Sequence, residues 1–379
     1  MTEPKRTPDG ILFDPRELLG WGPHLGAHKV ALRVLLSVLV PLLVLYAVDR
    51  LELAAYALLV AMASVYGRNA TTRDRLQVQA SFGVLQAALV IGGAALSASG
   101  APSWLFVAIT AVIAGLGTVL ADARAWKPAG SVFLVFGFGV ASSIPADGSG
   151  VVLAAILAAS SLVFTLLVTV ISGIGKRSLR RLERRVTEYP RRTIPQPHWR
   201  IIATHATMCL LGAGIAGGVA LSLGWAHPYW AMVSAVVPVV GATTSGQLIR
   251  ASHRVTGTML GLVVALVLFG YAPQGLLLVI LLVALQAGTE LVIVRNYAAG
   301  LLFLTPLTIG MGLLNGPVPV LPLIVDRGLE TVVGVAVAVV LILATHGVRH
   351  PRASPPNSSA NSRELLALQG FRAARTTSN

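Results

Sequence analysis

Charge is scarce in this chain of 379 residues, with 12% of positions Asp, Glu, Lys or Arg, against about 25% in an average soluble domain. Acidic residues are the scarcer sign, 15 against 29 Lys plus Arg. One cysteine, Cys209, rules out an intrachain disulfide and a cysteine-based zinc cluster. No G-x-x-x-x-G-K-[ST] loop occurs, and no segment between the apolar runs has room for a nucleotide-binding domain. ATP-driven transport by this chain alone is therefore excluded. Metal-ligand clusters, a nucleophile elbow and paired catalytic carboxylates are missing too, so no enzyme, catalytic residue, metal or cofactor is expected. The first 30 residues hold no uninterrupted apolar core and no small-residue cleavage site, so no cleaved signal peptide is expected.

Apolar residues make up 55% of the chain, and its mean hydropathy is +0.77. A formal charge of +14 raises nucleic acid as a partner. The apolar runs are too long for that reading, and a polytopic membrane protein without a nucleic-acid partner is expected instead. A helix needs about 20 apolar residues to cross the hydrocarbon core. Twelve runs qualify or come close. In the first half they are about 31–48, 52–67, 78–98, 102–120, 129–145 and 151–174, and in the second about 201–223, 228–247, 255–271, 274–293, 297–314 and 321–346.

Lys and Arg accumulate on the cytoplasmic side of short loops. With both termini inside, 27 of the 29 basic residues fall on that side, and only Arg50 and Arg327 fall outside. A wrong helix count would scramble this split. Tryptophans agree, with Trp21, Trp126 and Trp199 at inner edges and Trp104, Trp225 and Trp230 at outer ones. The expected fold class is an all-α membrane protein of about twelve transmembrane helices arranged as two six-helix halves. The segments are an N-terminal cytoplasmic stretch (1–30), the first half (31–174), a basic linker (175–200), the second half (201–348) and a tail (349–379) rich in Ser, Pro, Asn and Arg that reads as disordered. Leu179, Leu182 and Val186 share one face of the linker with arginines around it. Over 176–192 this suits anionic lipid headgroups, at about 1 kcal/mol per basic residue.

The second half repeats itself. Tyr229, Ala231 and Pro238 recur as Tyr297, Ala299 and Pro306, and Arg254-x-x-x-Thr258-x-x-Gly261 recurs as Arg327-x-x-x-Thr331-x-x-Gly334. Three helices separate the copies, an odd number, so the copies cross in opposite senses. This is an inverted three-plus-three repeat, which in many secondary transporters puts the substrate site near mid-membrane. A looser match links the halves: Gly67 with Thr71 and Thr72 answers Gly241 with Thr243 and Thr244, and Phe136 stands where the second half has Pro306.

Pro238 and Pro306, each well inside its run, are expected to break helical hydrogen bonding at mid-span. Ionisable groups at apolar spans are the sharper signal. Three carboxylates qualify: Glu290, Asp326 and Glu330. Asp326 and Glu330 are spaced i, i+4 beside Arg327, and the spacing fits either a proton-coupling acid or a static ion pair with Arg327. Glu290 lies five residues from Arg295 and reads equally as an interfacial residue. His205 is a weaker proton carrier. Arg250, His253 and Arg254 cluster at an inner mouth, where a positive field draws anions. Gly257 with Gly261 and Gly214 with Gly218 form GxxxG pairs and are expected to serve close helix packing.

At His227-Pro-Tyr-Trp230, Arg254-x-x-Gly-Thr-x-x-Gly261, Tyr297…Thr305-Pro306 and Arg327-x-x-Glu-Thr-x-x-Gly334, the chain resembles the fusaric-acid-resistance (FUSC) family, related to the aromatic acid exporters. The similarity runs from about residue 30 to 347 and is strongest after 200. The resemblance implies a multi-pass bacterial inner-membrane exporter of aromatic carboxylic acids or similar amphiphiles. Larger members carry sizeable cytoplasmic domains after each six-helix block, where this chain has a short linker and tail. A related plant group forms dimeric anion channels, so pump and pore both stay open, as does a non-transporting scaffold. The expected partners are a small organic anion and membrane lipids, with a homo-oligomer left open. The substrate carboxylate is expected at Arg254 or Arg327, its ring on Tyr229, Trp230 or Tyr297, with hydroxyls from Thr258, Thr305 and Thr331. Coupling falls to Asp326, Glu330 or Glu290.

Overall fold

A computed structural model describes residues 19–22, 26–68, 70–183, 198–241, 243–316 and 318–349. All regular structure among them is helical. Twelve α-helices follow in order: α1 Ala27–Ala47, α2 Ala54–Ala61, α3 Thr72–Ala98, α4 Ser103–Ala123, α5 Val132–Ser143, α6 Gly148–Glu183, α7 Trp199–Ser222, α8 Tyr229–Val239, α9 Thr244–Phe269, α10 Gly275–Val292, α11 Tyr297–Gly312 and α12 Val320–Arg349. Each falls on one of the twelve expected runs. Short 3-10 turns extend α2 at both ends. The side chains expected to bind lipid in the linker, and the tail after 349, lie outside the described residues.

Among the described residues, eight helices are long and apolar enough to cross a membrane, while α2, α5, α8 and α11 are shorter. The short ones are the second of every three. They are also the most enclosed: all eleven residues of α8 and all eight of α2 are buried. At 1.5 Å per residue α8 rises only about 16 Å, half of a hydrocarbon core. This corrects the expected run at 228–247, where the helix stops at Val239 and α9 starts at Thr244. The segment between them is free of charge, so an apolar count runs straight through it. Thr243, which the repeat pairs with Thr71, caps α9 by accepting from the Gly246 N–H at 3.1 Å. Thr71 does the same for α3 through Asp74, and Asn296 for α11 through Ala299. Such caps satisfy amide donors that a helix start leaves over.

Pro238 is therefore the penultimate residue of α8 and ends it, whereas Pro306 does lie inside α11. Two tryptophans also depart from the interfacial expectation. Trp126 and Trp230 are each 3% exposed. Trp126 packs edge-on to Tyr66 and Phe82, whose rings stack at 3.9 Å, and Trp230 lies within the second half. Trp21, Trp104 and Trp199 are exposed as an interfacial belt requires.

In the second half α8 packs on α12, α11 on α9, and α9 on α12. In the first half α5 packs on α3, α2 on α6, and α3 on α6. The halves interlock through α1 against α10 and α4 against α7, and α5 meets α8. One end of the bundle is tied by long-range polar contacts. The Gly22 N–H donates to the Arg295 carbonyl at 2.8 Å, Asn296 Nδ2 to the Gly20 carbonyl at 3.2 Å, and the Arg295 guanidinium lies over the Trp21 ring at 5.2 Å. Buried Gln79 closes the frayed end of α2, donating to the carbonyls of Ser64 and Tyr66 and accepting from Thr169. Gln247 does the matching job for α8 at the Val239 carbonyl.

Candidate functional site

Proline at 238 has no N–H to give to the carbonyl of Ser234, and a helix face with a spare acceptor follows. That face is where the second half gathers its charge. Trp230 and Ser234 are one turn apart on α8. Arg327 of α12 sits over the Trp230 ring with its guanidinium carbon 4.8 Å from the centroid. Arg254 of α9 donates to the Ser234 hydroxyl from Nη2 at 3.1 Å and from Nε at 3.3 Å, and from Nη1 to the Tyr297 hydroxyl at 3.4 Å. Arg327 lies within electrostatic reach of both Arg254 and Glu330. Because α9 starts eleven residues before the expected run, Arg254 sits inside the helix and not at its mouth. Arg250 stays nearer the end, its guanidinium 5.5 Å from the Tyr297 ring centroid.

The cluster is closed off. Arg254 and Arg327 are each 2% exposed, and Glu330, Thr258, Thr305 and Thr331 are 0%. It is also incompletely satisfied. Arg327 Nε and Nη1, both Glu330 carboxylate oxygens, and the hydroxyls of Thr258 and Thr305 have no side-chain hydrogen-bond partner, and the group nearest to satisfying Glu330 is the His227 backbone. Buried polar atoms are nearly always paired, and each orphan costs about 1–3 kcal/mol. Arg327 and Glu330 form no ion pair within 4 Å, so the static-pair expectation fails on geometry. Thr331 is different, since its hydroxyl donates to the Arg327 carbonyl one turn back at 2.7 Å.

Other expected residues fall elsewhere or play other parts. Tyr229 is 6% exposed and packs on α5, with the Phe136 ring edge-on at 6.1 Å. Asp326 is half-buried beside His227, whose ring stacks on Trp230 at 4.7 Å. His227 belongs to the loop before α8, and burial holds its ring below the usual histidine range against the pull of Asp326. Glu290 is far from this cluster. Its partner is Arg68, 222 positions away in the chain and 3.0 Å away in space, not nearby Arg295. His205 pairs with Asp122 at 3.2 Å and lines a cavity of about 330 Å³ with Trp126, Lys127 and Val240. That cavity lies between α4, the loop before α5, α7 and the end of α8, not over the arginines.

Small residues decide how closely the arginine-bearing helices approach. A Cβ on Gly257 would stand 2.6 Å from the Ala298 carbonyl oxygen, and one on Gly261 would stand 2.6 Å from that of Leu301. Gly334 is pressed in the same way on the Ala231 backbone and Ser234. The pair at Gly214 and Gly218 is not a packing seam: Gly214 has Ala111 at 3.6 Å and Gly218 has nothing within 4 Å. Charge placement concealed one further feature. Arg33, Arg68 and Arg75 read as cytoplasmic anchors, yet Arg33 and Arg75 are each 4% exposed. The spacing of Arg33 from Ser37, i to i+4 inside an apolar run, was the available signal.

Comparison with known proteins fits the half in which these residues converge. Residues 215–341 match the fusaric acid resistance protein-like family. The match takes in α8, α9, α10, α11 and most of α12, and with them Arg254, Arg327 and Glu330. A stretch of 86 residues, 23% of this chain, is 38% identical to "Uncharacterized membrane protein YvaC" of Bacillus subtilis (strain 168). That stretch covers 14% of the relative's length, so the chain spans a small part of it. No solved structure matches. The chain is a multi-pass membrane protein whose described regular structure is helical.

Proposed function

We propose that this protein is a secondary transporter exporting small organic anions, with aromatic carboxylic acids as the substrate class. The observation that carries the reading is the buried Arg254–Arg327–Glu330 cluster, in which Arg327 Nε and Nη1 have no hydrogen-bond partner and Glu330 meets the His227 backbone but no side-chain donor. An unpaired ion in an apolar interior is costly and marks a site that a ligand or proton completes. Arg327 donates two charge-assisted hydrogen bonds to the substrate carboxylate, and Arg254, held by Ser234 and Tyr297, supplies the second positive charge. The substrate ring takes the place beside Trp230 and Tyr297. Glu330, with half-buried Asp326 one turn away, is the group that carries a coupling proton. Thr258 and Thr305 offer free hydroxyls, and Pro306 gives α11 the break about which such a site can flex.

In this reading all twelve helices span, with both termini on the cytoplasmic side of the inner membrane, and the four short ones do so through thinner surroundings built by their neighbours. Residues 201–348 form two three-helix units of opposite sense. The pairings support this, since exchanging the units turns α8 on α12 into α11 on α9 and leaves α9 on α12 unchanged. The segment 31–174 forms the partner half, and the basic linker lies on anionic lipid.

An efflux assay in proteoliposomes with a panel of labelled hydroxybenzoates tests the proposal. Arg327→Gln and Arg254→Gln should each lower efflux at least tenfold, and Glu330→Gln should retain exchange but lose proton-driven accumulation. Efflux indistinguishable from empty vesicles for the whole panel would reject the exporter. The near-zero exposure of both arginines favours a carrier over an open pore. Steady current in a planar bilayer without a proton gradient would replace the carrier by a channel.

A further inference from the structure

Of the thirteen buried side-chain atoms without a hydrogen-bond partner among the described residues, all but six belong to the cluster above and the adjoining His227. Four of those six lie on a second patch at the opposite end of the bundle: Arg33 Nε and Nη2, Ser37 Oγ and Arg68 Nη1. Arg33 and Ser37 are one turn apart on one face of α1, 4% and 0% exposed. Arg68 follows α2, and its other terminal nitrogen is bound to Glu290 of α10 at 3.0 Å. Glu290 also accepts from Gln286 at 3.2 Å. Arg75 stands within electrostatic reach of Arg33, its Nε and Nη2 donating to the carbonyls of Gly67 and Ala70. Two guanidiniums, Arg33 and Arg68, thus face one carboxylate, with a third, Arg75, beside Arg33, in a region that water hardly reaches.

Two observations agree independently. The charge count leaves the patch positive, and burying uncompensated positive charge costs several kcal/mol. The orphaned atoms are all donors or hydroxyls, so what is missing is an acceptor. Positive-side anchoring does not explain them, because an anchor keeps its head in water or among headgroups. Arg68, with 14% of its side chain exposed, leaves a narrow entrance.

We propose that Arg33, Ser37 and Arg68 form a site for a compact oxyanion of the phosphate or sulfate type, with Glu290 setting its affinity by repulsion. A tetrahedral oxyanion offers several acceptors at the spacing of a guanidinium fork, and two arginines with a hydroxyl are a sufficient donor set. The same chemistry comes free in solution or on a lipid headgroup. The inference rests on this patch alone and does not depend on the transport reading.

The test is thermal unfolding of the purified full chain. In lipid-free detergent, sodium sulfate should raise Tm saturably relative to sodium chloride of equal ionic strength, following RT ln(1 + [L]/Kd). In nanodiscs, phosphatidylglycerol should raise Tm over phosphatidylcholine and abolish the added effect of sulfate if a headgroup is the occupant. Arg33→Gln should remove either shift. Glu290→Gln should tighten sulfate about tenfold, the opposite direction, which separates a site from mere damage and stands even where Arg33→Gln does not fold. Absence of both shifts in the unaltered protein would overturn the proposal. So would a full shift in Arg33→Gln, or sulfate affinity that is unchanged or weaker in Glu290→Gln.

Discussion

Adding one methyl group at Gly261 should separate two helices and break a charge contact more than a turn away. The new Cβ would meet the Leu301 carbonyl oxygen at 2.6 Å, Thr305 Cβ at 2.7 Å and its hydroxyl at 3.0 Å. Ordinary contact begins at 3.4 Å, and the obstruction is backbone, which cannot swing aside. The helices α9 and α11 must move apart by ~1 Å, and overpacking of this kind costs about 1–3 kcal/mol. Arg254 and Tyr297 span the same two helices with a bond of 3.4 Å, already near the limit, so the displacement leaves Arg254 tethered by Ser234 alone. Gly218→Ala is the control, because nothing lies within 4 Å of its Cβ. Replacing that helical glycine should be neutral or stabilise by up to ~1 kcal/mol. Detergent-solubilised Tm reports the stability of each, and efflux reports the site. Gly261→Ala as stable as the parent would refute the close-approach argument, and equal loss in both variants would assign the effect to glycine in general.

Ser234→Ala removes both hydrogen bonds from Arg254 to α8 and should destabilise by about 1–3 kcal/mol, with a larger rise in the substrate constant than fall in rate. An unchanged Tm would mean that Arg254 finds water there. Gln79→Leu strips three buried hydrogen bonds from the end of α2 and should cost about 2–4 kcal/mol, read by chemical unfolding. His227 gives a pH signature. Burial disfavours its charged form in the folded state, so the unfolded chain binds more protons and stability falls as pH drops through about 6.5. His227→Gln should flatten Tm between about pH 7 and pH 5, and a slope identical to the parent would remove His227 as its source.

The helix order was legible in the apolar runs and the charges between them, because bilayer thickness dictates both. Where α8 stops was not legible. The stretch after Val239 carries no charge, and the turn is made by a Thr cap and a glutamine reaching back to a carbonyl, features without an apolar signature. Arg254, Arg327 and Glu330 stood out because the repeat put an arginine on the wrong side of the membrane, and the fold brings those three together. The Arg33–Ser37–Arg68 patch did not stand out, since the charge rule that oriented the helices already accounted for its arginines. Glu290 shows the limit of sequence proximity: Arg295 is five positions along, but a partner 222 positions away is the one in contact.

The interlocked packing of α1 on α10 sets a schedule for making this protein. Arg295 and Gly22, hydrogen-bonded through Arg295 Nε, are 273 positions apart. At ribosomal speeds of about 5–20 residues per second, the first helix waits on the order of 15–50 s for the loop that ties it down. During that time the Arg33 face of α1, buried in the finished protein, has neither α10 nor the Glu290 carboxylate beside it. Slowing elongation between α1 and α10 should therefore lengthen the window in which the nascent chain is captured by membrane quality control.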